Sequence, residues 1–156
     1  MAAGWVLCRL GALDLDRAAA LHGEAFVPLG EGAWTRQDLA GLLASPGVTG
    51  LLLQADGRDA GFALCRVATD ESELLTIAVR PTERRRGAGR RLLTEVIEHV
   101  REAGARALFL EVGADNPPAQ ALYEAMGFRV VGRRVAYYRR GEGPPADALI
   151  MRLSLN

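Results

Sequence analysis

The chain contains no lysine: every one of its 19 basic residues is arginine. This bias reads first as a property of the coding sequence. It also removes the Gly-Lys-Ser/Thr phosphate loop, and with it the common nucleotide-phosphate binders, from the candidate functions. Cysteine is scarce. Cys8 and Cys65 stand far apart, with neither a CxxC pair nor metal-ligand spacing around them, so a disulfide framework and a thiolate metal site are not expected. Each lies in an apolar, strand-like run and is expected as a buried thiol. The two histidines, His22 and His99, fall within amphipathic helical patterns and read as packing residues; no metal is expected. Formal net charge is zero, so the molecule has no overall field to draw nucleic acid or a membrane surface. No window approaches the roughly 18 uncharged apolar residues of a membrane-spanning helix. No basic-then-apolar leader pattern opens the chain, and a reducing cytoplasm is the expected location.

The content that remains is that of an ordinary globular protein, with 49% hydrophobic and 24% charged residues. One domain over residues 1–156 is expected, with a substantial core. Apolar periodicity and turn residues predict strands at Trp5–Leu10, Val48–Gln54, Ala60–Ala68, Glu73–Val79, Ala107–Val112, Phe128–Tyr138 and Ala148–Leu155. Helices are predicted at Asp14–Phe26, Thr35–Ala44, Ala88–Ala103 and Asn116–Met126, the last two closed by Gly104 and Gly127. Residues 55–59 read as a glycine-containing hairpin turn. The order β-α-α-β-β-β-α-β-α-β-β is an α/β layer fold with a mixed sheet.

Two stretches carry chemistry. In the first, the apolar strand ending Ile77-Ala78-Val79 meets Pro81, then the basic turn Arg84-Arg85-Arg86-Gly87-Ala88-Gly89, then a helix beginning with Arg90 and Arg91. Glycines let backbone N–H groups approach an anion closely. A helix N-terminus adds its dipole and unpaired N–H groups, and the arginines add permanent cations. This is a site for phosphate groups, and Gly89 is expected to keep their space clear. The second stretch runs from Leu108 to Phe128. Glu111 interrupts an apolar strand, and a carboxylate there needs a reason. Asn116 opens a helix ahead of Pro117. Tyr123 lies seven residues, two turns, beyond Asn116 and shares its face. Glu111 and Tyr123 are therefore expected to point into one cleft.

The turn resembles the pyrophosphate signature of the GNAT superfamily of acetyl-coenzyme A-dependent N-acetyltransferases, Gln/Arg-x-x-Gly-x-Gly/Ala. The second stretch, Leu-Glu-Val with Asn116, Ala-Leu-Tyr and Gly-Phe following, resembles the RimI-type subfamily, which acetylates an N-terminal alanine of a small-subunit ribosomal protein. The resemblance spans nearly the whole chain. It implies the GNAT fold, a mixed, mostly antiparallel sheet flanked by helices. It implies acetyl-coenzyme A as co-substrate, bound by Ile77, Ala78, Val79, Arg84, Arg85, Arg86, Gly87, Ala88, Gly89, Arg90 and Asn116. It makes Glu111 the general base and Tyr123 the general acid. The pair Tyr137-Tyr138 resembles the paired tyrosines that line the peptide slot in these enzymes; Phe26 and Trp34 complete that expected slot. The proline pair Pro117-Pro118 departs from the small residues usual in the family and is expected to stiffen the helix start. The resemblance leaves the acceptor amine and the oligomeric state open.

Plainer readings stand beside these. Glu111 can pair with an arginine on a neighbouring strand. Tyr123 can be a core aromatic, Asn116 only a helix cap, Arg84–Arg86 only a solvated turn, Trp34 only core packing, and Tyr137-Tyr138 only strand-edge aromatics. An acetyltransferase for a polyamine or another small amine, and a coenzyme A-binding module without catalysis, are the competing functions. An acidic acceptor cleft would favour the polyamine; a neutral aromatic slot favours a peptide.

Overall fold

The computed structural model describes residues 4–156. Seven strands form one sheet: β1 (Trp5–Arg9), β2 (Val48–Ala55), β3 (Arg58–Ala68), β4 (Glu71–Val79), β5 (Ala107–Gly113), β6 (Arg129–Tyr138) and β7 (Ala146–Ser154), in the order β1-β2-β3-β4-β5-β7-β6. Four helices join them: α1 (Leu15–Phe26), α2 (Arg36–Ala44), α3 (Ala88–Glu102) and α4 (Pro117–Ala125). Every neighbouring strand pair is antiparallel except β4 and β5. The expected fold class and element order are those observed. Helix ends follow the local chemistry: Thr35 and Asp38 close a reciprocal capping box on α2, and Gly104 and Gly127 take positive φ after α3 and α4.

The hairpin between β2 and β3 is tighter than residues 55–59 suggested. Both strands extend inward, leaving Asp56 and Gly57 as a two-residue turn with φ of 51° and 81°, the positive values that the twist of a hairpin prefers.

Strand alternation divides the core into two layers. Leu51, Leu53, Ala63, Leu108, Leu110 and Val112 pack with the buried face of α3, Leu92, Leu93, Val96, Ile97 and Val100. Leu52, Phe62, Leu64 and Ala78 face α1 and α2 on the other side, against Leu15, Leu21 and Leu39. Cys65 is buried, and burial pushes its thiol up to about 11. Cys8 corrects the sequence reading: it is exposed. It lies on the edge strand β1, where an apolar pattern does not guarantee a covering layer.

β4 and β5 pair over only three positions, Glu71 with Ala107, Ser72 with Leu108 and Glu73 with Phe109. On its other side β4 carries a bulge. Leu64 faces Thr76 and Cys65 faces Leu74, which leaves Leu75 unmatched. A bulge bends its strand and increases local twist. Beyond Glu73 the two strands part, and β5 continues with β7 to Gly113. The sheet is therefore split along one line, with the edge of Leu74–Val79 open.

Gly61 on β3 lies where the sheet meets α3. A Cβ there would stand 2.5 Å from the Ala78 carbonyl oxygen and 3.0 Å from Leu92 Cδ1. We predict that Gly61→Ala destabilises the fold by about 1–3 kcal/mol through overpacking, read as a fall of several degrees in Tm by calorimetry; an unchanged Tm would contradict this packing.

Candidate active site

The turn after β4 is held from beneath by Glu83, which is buried at 3% exposure. Its two oxygens accept from Arg58 at 3.2 Å and Arg86 at 3.1 Å. Arg84 donates to the Ala25 carbonyl at the end of α1, at 3.3 Å. These partners fix the loop from both sides. Arg85 and Gly87 then take φ of 65° and 89°, the left-handed conformations that turn successive N–H groups into a concave nest. Within α3 the Arg91 N–H reaches the Gly87 carbonyl at 2.9 Å. The N–H groups of Ala88, Gly89 and Arg90 precede it and lack helical acceptors; Gly87 has no side chain to cap them. Arg85 and Arg90 are exposed and enter no ion pair among the described residues. Free donors, two uncommitted cations and a helix dipole suit a pyrophosphate.

Two expectations for this loop are refined. Arg86 is ion-paired with Glu83 and shapes the turn, while Arg84 is held by the Ala25 carbonyl, a neutral partner that leaves its charge in place. Gly89 is also close-packed: a Cβ there would lie 3.3 Å from Leu122 Cδ2 and 3.7 Å from Val79 Cγ2. Its lack of a side chain lets α4 approach α3, in addition to any space it leaves for a ligand.

On the open edge of β4, the side chains of Ile77 and Val79 pack into the α3 layer and Ala78 into the α1–α2 layer. What these three residues present to the split is backbone. At its far side Asn116 caps α4, accepting from the Ala119 N–H at 3.4 Å. The Gln120 amide donates to the Gly113 and Ala114 carbonyls at 3.0 and 3.1 Å, tying the helix to the end of β5.

Leu108, Leu110 and Val112 fill the α3 layer, so alternation turns Phe109 and Glu111 to the opposite face of β5. Glu111 pairs with Arg134 of β6 at 3.3 Å, with the Arg134 side chain 52% exposed. The plainer expectation of an arginine partner is met, but an exposed partner in water holds weakly. Tyr123 lies in the α3–α4 core, its ring 5.8 Å from that of Phe128. Burial first, and the neighbouring Tyr138 second, push its phenol well above the usual range, so it stays protonated. No polar side-chain atom is buried without a hydrogen bond among the described residues. The Tyr138 phenol is pushed up to about 12 by burial, then by the charges of Glu111 and Glu31.

The residues expected on the acceptor side come from α1, the loop after it, and the end of β6. His22 of α1 is buried and stacks on Trp34 with ring centres 4.7 Å apart, and Phe26 lies 4.5 Å from its other side. The Trp34 N–H donates to His22 Nδ1 at 3.1 Å, which makes the ring a neutral acceptor at that nitrogen. Phe26 and Trp34 keep part of their surface exposed while packing on the α1–α2 core. Tyr137 and Tyr138 meet edge to face at 5.2 Å. Arg140 lies over the Tyr138 ring at 4.8 Å and grips Asp115 at 2.8 and 3.0 Å and Glu31 at 2.8 Å.

Sequence reasoning missed four residues that organise this site: Glu83, His22, Glu31 and Arg140. The histidine, correctly placed in the core, is also the ring that orients Phe26 and Trp34. The adjacency of Glu83 to the arginine run was the one available signal; the others form between helix and loop or across 25 to 109 residues. No group of three or more metal-ligating side chains occurs among the described residues, and no helix is long and apolar enough to cross a membrane.

The profile of the acetyltransferase (GNAT) family matches residues 15–128. The [ribosomal protein bS18]-alanine N-acetyltransferase of Salmonella typhimurium is 44% identical over 106 residues, 68% of this chain and 71% of that protein. The N-alpha-acetyltransferase RimI of Mycobacterium tuberculosis is 38% identical over 150 residues, 92% and 90% of the two chains. The crystal structure of the ribosomal-protein-S18-alanine N-acetyltransferase from Escherichia coli superposes with a TM-score of 0.88 at 32% identity, over 97% of this chain and 94% of that one.

Two predictions follow from the geometry. Arg85→Glu with Arg90→Glu should weaken acetyl-coenzyme A binding on the order of 100-fold, from charge-assisted contacts of roughly 1.5–3 kcal/mol each, with Tm preserved; calorimetric titration checks it, and intact affinity would reject the anion site. His22, lowered to about 4 chiefly by burial, is neutral in the fold and charges more readily when unfolded. The unfolded chain therefore binds the extra proton, and stability falls as pH drops from about 6.5 towards 4, by on the order of 3 kcal/mol. Denaturant titrations of wild type and His22→Phe across that window should differ in slope; parallel curves would exclude His22 as the source.

Proposed function

This chain belongs to the GNAT family of acetyltransferases, and from that premise we propose that it moves an acetyl group from acetyl-coenzyme A to the N-terminal α-amino group of a protein. The names of its relatives specify the alanine of ribosomal protein bS18, and an alanine N-terminus is the acceptor proposed here. The observation that carries the reading is the open edge of β4 beside the basic turn, with Glu111 on the neighbouring strand β5 held by one exposed partner, Arg134. A cytoplasmic location fits a ribosomal acceptor.

The donor supplies an activated acetyl thioester. Arg85, Arg90 and the N–H groups of Ala88, Gly89 and Arg90 hold its phosphates. The backbone of Ile77, Ala78 and Val79 lines its open strand edge, where N–H groups hold the carbonyl oxygen as negative charge develops. Asn116 borders the same split from α4. An α-amine has an ordinary pKa near roughly 7.7–8, against about 10.4 for a lysine side chain, so it releases its proton more easily at neutral pH. Glu111 takes that proton, directly or through water. Tyr123, kept protonated by its apolar surroundings, gives its proton to the sulfur that leaves. Phe26, Trp34, Tyr137 and Tyr138 hold the acceptor backbone against the split, and much of the acceleration comes from fixing both reactants there.

The test is kinetic. Glu111→Gln should lower kcat at least about tenfold, within the roughly 100- to 10,000-fold range of general bases, with acetyl-coenzyme A affinity retained; loss through unfolding alone would make Glu111 a structural partner of Arg134. Tyr123→Phe should bind donor normally and turn over slowly. Alanine-starting peptides should exceed spermidine and free lysine in kcat/KM, and a preference for spermidine would overturn the peptide reading.

A further inference from the structure

Arg140 is the most heavily engaged side chain outside the proposed catalytic groups. It leaves the end of β6 with 11% of its side chain exposed. Its Nε and one terminal nitrogen make a fork to Asp115, at 2.8 and 3.0 Å, while the other terminal nitrogen reaches Glu31 at 2.8 Å. The guanidinium plane lies over the Tyr138 ring. Three loops are joined in this way: that of Glu31 between α1 and α2, that of Asp115 between β5 and α4, and the segment after β6. The backbones are shaped to allow it. A Cβ at Gly113 would stand 2.6 Å from an Arg140 terminal nitrogen, and one at Gly30 would stand 3.3 Å from the Arg140 Cα.

Two ion-paired sets meet here. Arg134 faces the single carboxylate of Glu111, and Arg140 faces two, Glu31 and Asp115. The Arg140 set therefore keeps one net negative charge. Arg140 engages both of its carboxylates at once. Asp115 is held below its usual range, first by this hydrogen bond. Without Arg140, Glu31 and Asp115 would stand as two uncompensated carboxylates beside Tyr138. That is the acidic cleft suited to a polyamine.

We propose that Arg140 is a specificity-determining residue: by pairing with both Glu31 and Asp115 from its place over Tyr138, it cuts their two negative charges to one and makes the acceptor slot select a single α-amine on an uncharged chain over a polycationic amine. The inference rests on the acceptor reading above. It concerns discrimination between acceptors, which a mechanism of base and acid alone does not set. An arginine suits the task because its planar fork grips two carboxylates and stacks on an aromatic ring in one conformation; a lysine offers a point charge.

The experiment compares kcat/KM for an alanine-starting peptide and for spermidine with acetyl-coenzyme A. The wild-type ratio tests the acceptor reading by itself. Arg140→Met should move the ratio towards spermidine by on the order of tenfold, mainly through KM, because an unscreened carboxylate pair attracts a polycation. Adding Glu31→Gln and Asp115→Asn to that variant should return the ratio towards wild type, a reversal that a merely structural role would not produce. Glu31→Gln with Asp115→Asn alone leaves Arg140 uncompensated and should move the ratio the opposite way; this variant decides the matter if Arg140→Met fails to fold. A ratio that stays at the wild-type value in the folded variants overturns the proposal, whichever acceptor the wild type prefers.

Discussion

The parting of β4 from β5 is the constraint on which the rest of the molecule depends. Two parallel strands inside a sheet ordinarily satisfy each other's backbone along their whole length. Here they do so at three residue pairs and then diverge. The bulge at Leu75 gives the divergence a cause within β4, and the full-length pairing of β5 with β7 gives β5 a reason to follow the other half. The outcome is an open strand edge in the middle of the fold. Its N–H and C=O groups can be satisfied by an extended ligand rich in amide groups. The wedge is kept open by two cores that do not depend on it, one under α3 and one under α1 and α2.

Around the split, most charged groups are assigned to one another. Glu83 fixes the basic turn through Arg58 and Arg86, leaving Arg85 and Arg90 to face outward. Arg134 and Arg140 pair with the carboxylates of Glu111, Glu31 and Asp115. Division of labour among chemically identical arginines is thus a matter of partner and burial. The same holds for the carboxylates: Glu83 is buried between two arginines, while Glu111 has one exposed partner.

The aromatic groups follow a similar rule. Phe26 and Trp34 owe their orientation to a neutral, buried His22, whose Nδ1 is satisfied by the Trp34 backbone. Tyr123 owes its retained proton to an apolar core, and Tyr138 owes its place to the guanidinium above it. In each case the aromatic ring is positioned by neighbours that its own residue type does not announce.

The strand and helix order, the phosphate-type turn at residues 84–89, and the standing of Glu111, Asn116 and Tyr123 as candidate residues can be read along the chain. These are legible because they rest on local physics: periods of 2 and 3.6, positive-φ glycines, capping residues, and a carboxylate out of place in an apolar strand. The extent of the split, the exposure of Cys8 and the close packing of Gly89 against Leu122 were decided only in three dimensions. So were the occupation of Arg84 and Arg86 and the bridge from Arg140 to Glu31 and Asp115. Register, edge position and charge pairing join residues up to 109 apart along the chain. A one-dimensional pattern states which residues prefer to be buried or charged, but not which of several equivalent partners each will meet. That choice is made by how two packed layers and their loops close on one another.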